Sequence, residues 1–304
     1  MARFIRNIVI FSFLMLVGLG ACEYYARRQP DVYSGKADYV AVNGGDIETL
    51  FIGSSLTYWG VAPNVWDGGK AYNLAFNGQT IDMVYYLLKR RMKDMPNLER
   101  VILEVAYFTF FDSFFEDTEH WAKWIPYEVH LDVGRHPKLS RYGFEISCPS
   151  IFRQKVVPWA EQPLENCDSL GHADYRNLSV RSTEWKSSKD LIIQSHTISD
   201  WENVPGNYNY FAGVLELCRR AGVEVIVCMF PAHESYYTRI DPGQLAKMYE
   251  LIGTLKSRYG FRFLDYFKDA RFNDGDFFDV VHLNNDVGAH KFTRILHDDI
   301  MKSF

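Results

Sequence analysis

Residues 48–56 read Glu-Thr-Leu-Phe-Ile-Gly-Ser-Ser-Leu, a short apolar run that stops at a glycine and continues into two serines. An unbroken apolar run of this length is the form of a strand buried on both faces of a parallel sheet, and Gly53 permits the tight turn that ends it. A serine just past such a strand stands at the rim of the sheet, with its backbone N–H free to meet an oxyanion. Turn or helix-cap duty would account for the same serines, so this stretch speaks first to the fold and only then to chemistry.

Downstream the pattern alternates. Ala71–Ala75 is a second strand candidate, Ile81–Met92 a helix and Arg100–Val105 a third strand. After a long interval come a helix over Tyr210–Ala221 closed by Gly222, a strand over Val223–Phe230 stopped by Pro231, a helix over Gln244–Tyr259 closed by Gly260, and a strand over Phe261–Tyr266. A final helix is predicted to start near Asn285 or Asp286, both good N-caps, with Phe292, Ile295, Leu296 and Ile300 at helical spacing. Such alternation predicts an α/β fold with helices on both faces of a mainly parallel sheet and a site at the carboxyl ends of its strands. From about 108 to 204 the alternation is lost. This aromatic-rich interval, too long for a connection, is read as an inserted cap. Its run Phe108, Phe110, Phe111, Phe114 and Phe115 is read as cap core.

The N-terminus carries an address. Arg3 and Arg6 precede an apolar run from Ile8 to Cys22, and Arg27 and Arg28 follow it. The run suits a signal-peptide core, or a tilted anchor if it extends back over Phe4 and Ile5. Leu19, Gly20, Ala21 and Cys22 resemble the bacterial lipobox, so a lipoprotein, an uncleaved anchor and a cleaved secreted form all stay open. Export and membrane association at the periplasmic face or cell surface are expected in the first two cases. The domain plan is residues 1–22 as signal or anchor, 23–46 as linker, and 47–304 as one domain carrying the cap. A net charge of −5 lacks the basic field that holds nucleic acid, and the short basic run at Lys89, Arg90, Arg91 and Lys93 reads as a solvated helix face. Cys218 and Cys228 fall in helix and strand patterns and read as buried thiols, while Cys148 and Cys167 could pair in an exported protein. No spacing of cysteine, histidine or acid suggests a metal, and no cofactor is implied.

The second half of a catalytic pattern lies near the C-terminus, at Asp279-Val-Val-His282. A carboxylate three residues before a histidine can accept its Nδ1–H within one turn, leaving Nε2 to take a proton from a serine. Taken together, Gly53-Ser54-Ser55-Leu56, then Asn73 with Gly78-Gln79-Thr80, then Asp279-x-x-His282 resemble the successive blocks of the SGNH (GDSL-like) hydrolase superfamily. That resemblance implies a three-layer α/β/α, flavodoxin-like domain, with Ser55 as nucleophile, Asp279 and His282 completing a triad, and Gly78 as a backbone oxyanion donor.

Two departures accompany it. Ser54 replaces the aspartate of the first block, as in exported relatives that act in teichoic-acid D-alanylation and alginate acetylation. The family's Gly, x, Asn, Asp block should fall near Val105-Ala106-Tyr107-Phe108, where its oxyanion asparagine is missing. Asn77, Thr80 or a backbone amide could stand in. The implied function is an esterase, deacylase or O-acyltransferase acting on an acyl ester, with an envelope or extracellular glycan as substrate. The rival reading, motivated by the missing asparagine, is a catalytically weak or inactive envelope binding and assembly module. His196, His233 and Glu104 lie where they could line the pocket, though a structural role accounts for each equally well.

Overall fold

The computed structural model describes residues 1–111, 124–135, 144–147, 149–157, 166–173, 175–199, 201 and 206–302. It divides into two compact units, Met1–Ala37 with 118–165, and Asp38–Asp117 with Asn166–Phe304.

The larger unit holds five strands, β1 (Thr49–Ile52), β2 (Ala71–Asn73), β3 (Arg100–Val105), β4 (Glu224–Met229) and β5 (Arg262–Asp265), all parallel in the order β2-β1-β3-β4-β5. Both faces are covered, which is why β1, β3 and β4 are mostly apolar and buried. Phe51, Ile102, Ile226 and Cys228 point to a core completed by Phe292, Leu296 and Ile300, while Leu50, Val101, Leu103 and Val227 are buried on the alternate face. The helices are α3 (Ser55–Gly60), α4 (Ile81–Arg91), α7 (Lys189–His196), α8 (Asn207–Ala221), α9 (Glu234–Tyr237), α10 (Pro242–Tyr259) and α11 (Gly288–Met301). α4 packs against α8 and α8 against α10, whereas α11 packs against α3. The result is the α/β/α sandwich expected, with a five-stranded parallel sheet. Because β1 lies between β2 and β3, the strand order reverses beside it, and the crevice at the carboxyl ends of β1 and β3 is where such sheets bind ligands.

Element ends differ from the sequence reading where side chains take over the backbone. β2 stops at Asn73, not Ala75, because the Asn73 Oδ1 accepts the Ala75 N–H at 3.1 Å and turns the chain. The last helix starts at Gly288 rather than at Asn285 or Asp286. Asn284 Oδ1 accepts the N–H groups of Val287 and Gly288, each at 2.9 Å, and so does the capping, while the Asn285 amide is committed elsewhere. Cys218 and Cys228 are buried, and burial pushes the Cys218 thiol up to about 12. Cys167 is half-buried; Cys148, its candidate partner, lies outside the described residues with Phe114 and Phe115, and Phe110 and Phe111 are core.

In the smaller unit α1 (Ala2–Arg28) is a single 27-residue helix, exposed along its apolar run and with a mean hydropathy of 2.0 over its most apolar window. Its length, roughly 40 Å at 1.5 Å per residue, is compatible with a membrane anchor or signal. Residues 32–43 form α2 (Val32–Asn43), so most of the segment read as linker is helical. With α5 (Ile125–Leu131) and α6 (Pro149–Val156) the unit encloses a buried charge cluster. The Lys155 ammonium, fully buried, bridges Asp31 and Glu145, at 2.7 Å from the latter, and His130 Nε2 meets Glu145 at 2.5 Å. Burial works to raise both acids, but the Lys155 and His130 contacts outweigh it and lower them. Asp31, His130 and Glu145 have the donor types of a metal site, but Lys155 already supplies the cation.

Candidate active site

The turn after β1 is built around Gly53. A side chain there would come within 2.6 Å of both the Glu104 carboxylate and the Thr57 hydroxyl. The register that sets Ile52 beside Leu103 carries Glu104 next to Gly53, and Glu104 is the hub of the turn. Its Oε2 accepts the N–H groups of Ser54 and Thr57, each at 2.9 Å, and the Thr57 hydroxyl at 2.7 Å; its Oε1 accepts the Ser54 hydroxyl at 2.5 Å. These donors include N–H groups that the first turn of a helix leaves without internal partners. Burial nonetheless holds the Glu104 pKa above its usual value, against the pull of the four donors. Ser54 caps α3 by accepting the Leu56 N–H at 3.3 Å, and Ser55 becomes the first helical residue. Asn73 anchors the far end of α3, donating to the carbonyls of Thr57 and Val61 at 2.8 and 3.1 Å.

Asp279 and His282 sit in a tight turn closed by the Phe277–Leu283 bridge. Asp279 Oδ1 accepts the N–H groups of Val281 and His282 at 3.0 and 2.9 Å, and its carboxylate lies 2.8 Å from His282 Nδ1. On the opposite edge of the ring, His282 Nε2 is 2.9 Å from Ser55 Oγ. The network assigns the tautomer: Nδ1–H donates to Asp279, and Nε2 accepts from the serine hydroxyl. Burial lowers the His282 pKa below its usual 6.5, and the facing Asp279 only partly restores it. Burial alone would raise Asp279, yet His282, Arg176 and the backbone donors hold it well below the usual carboxylate range. His282 is thus neutral and Asp279 ionised at neutral pH.

A third group completes this edge. Arg176 Nη1 donates to Asp279 Oδ2 at 2.9 Å, while the guanidinium carbon lies over Trp59, 3.4 Å from the ring centroid. Trp59 in turn meets His282 edge-on at 4.7 Å. Arg176 is held there by contacts of its own backbone and of Asn166 and Ala173. Asn285 accepts the Arg176 N–H at 2.6 Å and donates to Ala173 O at 2.6 Å, and Tyr58 donates to Asn166 O at 2.8 Å.

The remaining sequence candidates divide. Gly78 takes a positive φ of 65°, and neither its N–H nor that of Ser55 is paired with a protein acceptor among the described residues. Asn77 is exposed, and the Thr80 hydroxyl is turned to Asp82. His196 is close enough to His282 for their charges to oppose each other; burial first, and that opposition second, lower it to about 3, and its Nδ1 meets the Tyr236 hydroxyl at 2.8 Å. His233 is turned to Asp274 and Ser235. Sequence reading missed Arg176, which has no local signature because only the docking of its backbone on Asn285 brings it to Asp279. Glu104 was singled out without its role. Its signal was the register: a lone acid in the apolar strand beside β1, level with Gly53.

Residues 189–286 match the family model described as DltD protein, a span that takes in Asp279 and His282. A search of curated proteins returns no significant match. Among solved structures, a candidate acylhydrolase from Bacteroides fragilis shares 11% identity, covering 88% of this chain and 97% of its own, with a TM-score of 0.42. A GDSL-like lipase from Bacteroides thetaiotaomicron shares 10%, covering 89% and 99%, with a TM-score of 0.41. At such scores neither bears on chemistry. The family match and the observed α/β/α sandwich agree with the resemblance of this chain to the SGNH-like hydrolases.

Proposed function

We propose that the chain is a serine-dependent acyl-transfer enzyme acting on an acyl ester. The observation that carries this reading is the continuous path Ser55 Oγ, His282 Nε2, His282 Nδ1, Asp279, with steps of 2.9 and 2.8 Å. Ser55 Oγ attacks the acyl carbonyl as its proton passes to His282 Nε2. Asp279 holds the imidazole and stabilises the imidazolium, and the N–H groups of Ser55 and Gly78 receive the developing oxyanion. Collapse of the adduct breaks the ester bond, and His282 returns its proton to the leaving alcohol. The acyl-serine is then released by water, in an esterase, or by a sugar hydroxyl, in an O-acyltransferase, with His282 again taking the proton. The N-terminal apolar helix and the match over residues 189–286 support an exported, membrane-associated protein with an envelope or extracellular glycan as its acyl substrate.

The test is hydrolysis of short-chain p-nitrophenyl esters by the full chain, with Ser55→Ala and His282→Ala alongside, and labelling by a fluorophosphonate probe. Activity and labelling that vanish in both variants support the serine mechanism. A wild-type protein that neither turns over nor labels refutes it in favour of a non-catalytic envelope module.

A further inference from the structure

The developing oxyanion needs donors that are fixed, desolvated and not already engaged. Besides the backbone N–H groups of Ser55 and Gly78, the side chains around the nucleophile turn offer few. The Thr80 hydroxyl is spent on Asp82, the Asn73 amide on the carbonyls of Thr57 and Val61, and the segment after β3 reads Ala106-Tyr107-Phe108, with the Tyr107 hydroxyl engaged by Thr197 and the Asp241 N–H. The indole N–H of Trp59 is buried without a partner, but its ring lies beneath Arg176 and His282, on the base side of the serine.

Gln79 differs from all of these. It is 4% exposed, and neither its Nε2 nor its Oε1 has a hydrogen-bond partner among the described residues. A buried, unpaired amide destabilises a fold, so its retention needs a reason. Gln79 directly follows the positive-φ Gly78 and lines a small cavity of about 30 Å³ with Gly53, Ser54, Thr80, Glu104 and Phe108. That volume admits a group the size of an oxygen atom. The cavity lies at the carboxyl ends of β1 and β3, where the strand order reverses. Within it both Glu104 oxygens are turned to Ser54 and Thr57, which leaves the Gln79 carboxamide as the polar side chain with an unused N–H.

We propose that Gln79 Nε2 is a third donor to the oxyanion, the side-chain member of a set whose other two members are the Ser55 and Gly78 N–H groups. The assignment rests on the serine mechanism proposed above and names a catalytic residue that mechanism does not include.

The experiment compares the wild-type full chain with Gln79→Met, which keeps the length but loses the amide, and Gln79→Glu, which keeps the shape but replaces the donor with an acceptor. Three quantities are read: kcat and KM on p-nitrophenyl acetate and butyrate, the rate of Ser55 labelling by a fluorophosphonate, and the melting temperature. Both variants are expected to lose kcat by about 10²- to 10³-fold with KM little changed on either ester, the effect typical of deleting one oxyanion donor. Labelling slows in parallel, since phosphonylation of the serine builds the same charge. Gln79→Met melts no lower than wild type, because it removes a buried unpaired amide. Folded variants that turn over and label within about 3-fold of wild type would overturn the proposal, as would a fall in melting temperature that tracks the fall in activity. A wild-type chain that does not label at Ser55 would instead remove the serine mechanism itself, and the assignment with it.

Discussion

Replacing Glu104 separates what its carboxylate holds from what its charge does. In Glu104→Ala the four donors it now receives lose their acceptor at once. Two of them are hydroxyls that can rotate to other acceptors, but the N–H groups of Ser54 and Thr57 are fixed by the turn. Each buried donor left unpaired costs about 1–3 kcal/mol, so the variant should lose about 2–6 kcal/mol, a large share of the stability of an ordinary domain. Glu104→Gln should behave quite differently. Its oxygen can keep the three donors at the Oε2 position, and its NH2 can face Ser54 Oγ, which already accepts the Leu56 N–H. The expected loss is about 1 kcal/mol or less. A pH series sharpens the comparison. The folded-state pKa of Glu104 is raised above its unfolded value, so the stability it contributes is full below about pH 4.5 and is lost as pH rises through the raised value. Glutamine does not titrate, and the gap between wild type and Glu104→Gln should narrow as pH climbs through that window. Urea unfolding of the detergent-solubilised chain between pH 4 and 8 measures both effects. Equal stability of the alanine and glutamine variants would refute the idea that this carboxylate organises the nucleophile turn.

The other expectations concern the base and its support. Asp279→Asn should lower kcat by about 10⁴-fold in esterase assays while leaving the turn folded, because the wrong imidazole tautomer is favoured. The lowered His282 pKa places the acid limb of kcat/KM below pH 6.5, activity falling as pH drops through the folded value and His282 becomes protonated. Arg176 contributes to that lowering, so Arg176→Met should move the acid limb upward in the same pH–rate profile; an unmoved limb would show that the guanidinium does not act on the base. Gly171 has a φ of 85° and would direct a side chain into the backbone oxygen of Asn73; Gly171→Ala should cost about 2 kcal/mol or more by thermal unfolding.

The α/β alternation was legible because a strand buried on both faces must be continuously apolar and a helix covering it must be amphipathic; β3 was read to the residue and β1 to within one. The meeting of Ser55, Asp279 and His282 could be anticipated because each lies in a short block at a strand end or turn, where local spacing and chemistry coincide. Arg176 and the role of Glu104 could not. Each acts through a neighbour distant in sequence: Glu104 lies 50 residues from Ser54, and Arg176 lies 103 from Asp279. The start of the last helix was misplaced for a related reason, since Asn285 resembles a cap in isolation but is spent on Trp59 O and Ala173 O.

Ser55 and His282, the proposed nucleophile and base, are 227 positions apart in the chain yet 2.9 Å apart in the fold. A chain made from its N-terminus therefore produces Ser55 early and His282 almost last, after every strand of the sheet. During synthesis, and through any export that threads the chain before it folds, the serine is an ordinary alcohol, unable to acylate itself or its surroundings. On the proposed mechanism its reactivity begins only when the turn carrying His282 docks beside Ser55, so the same event that completes the site also arms it.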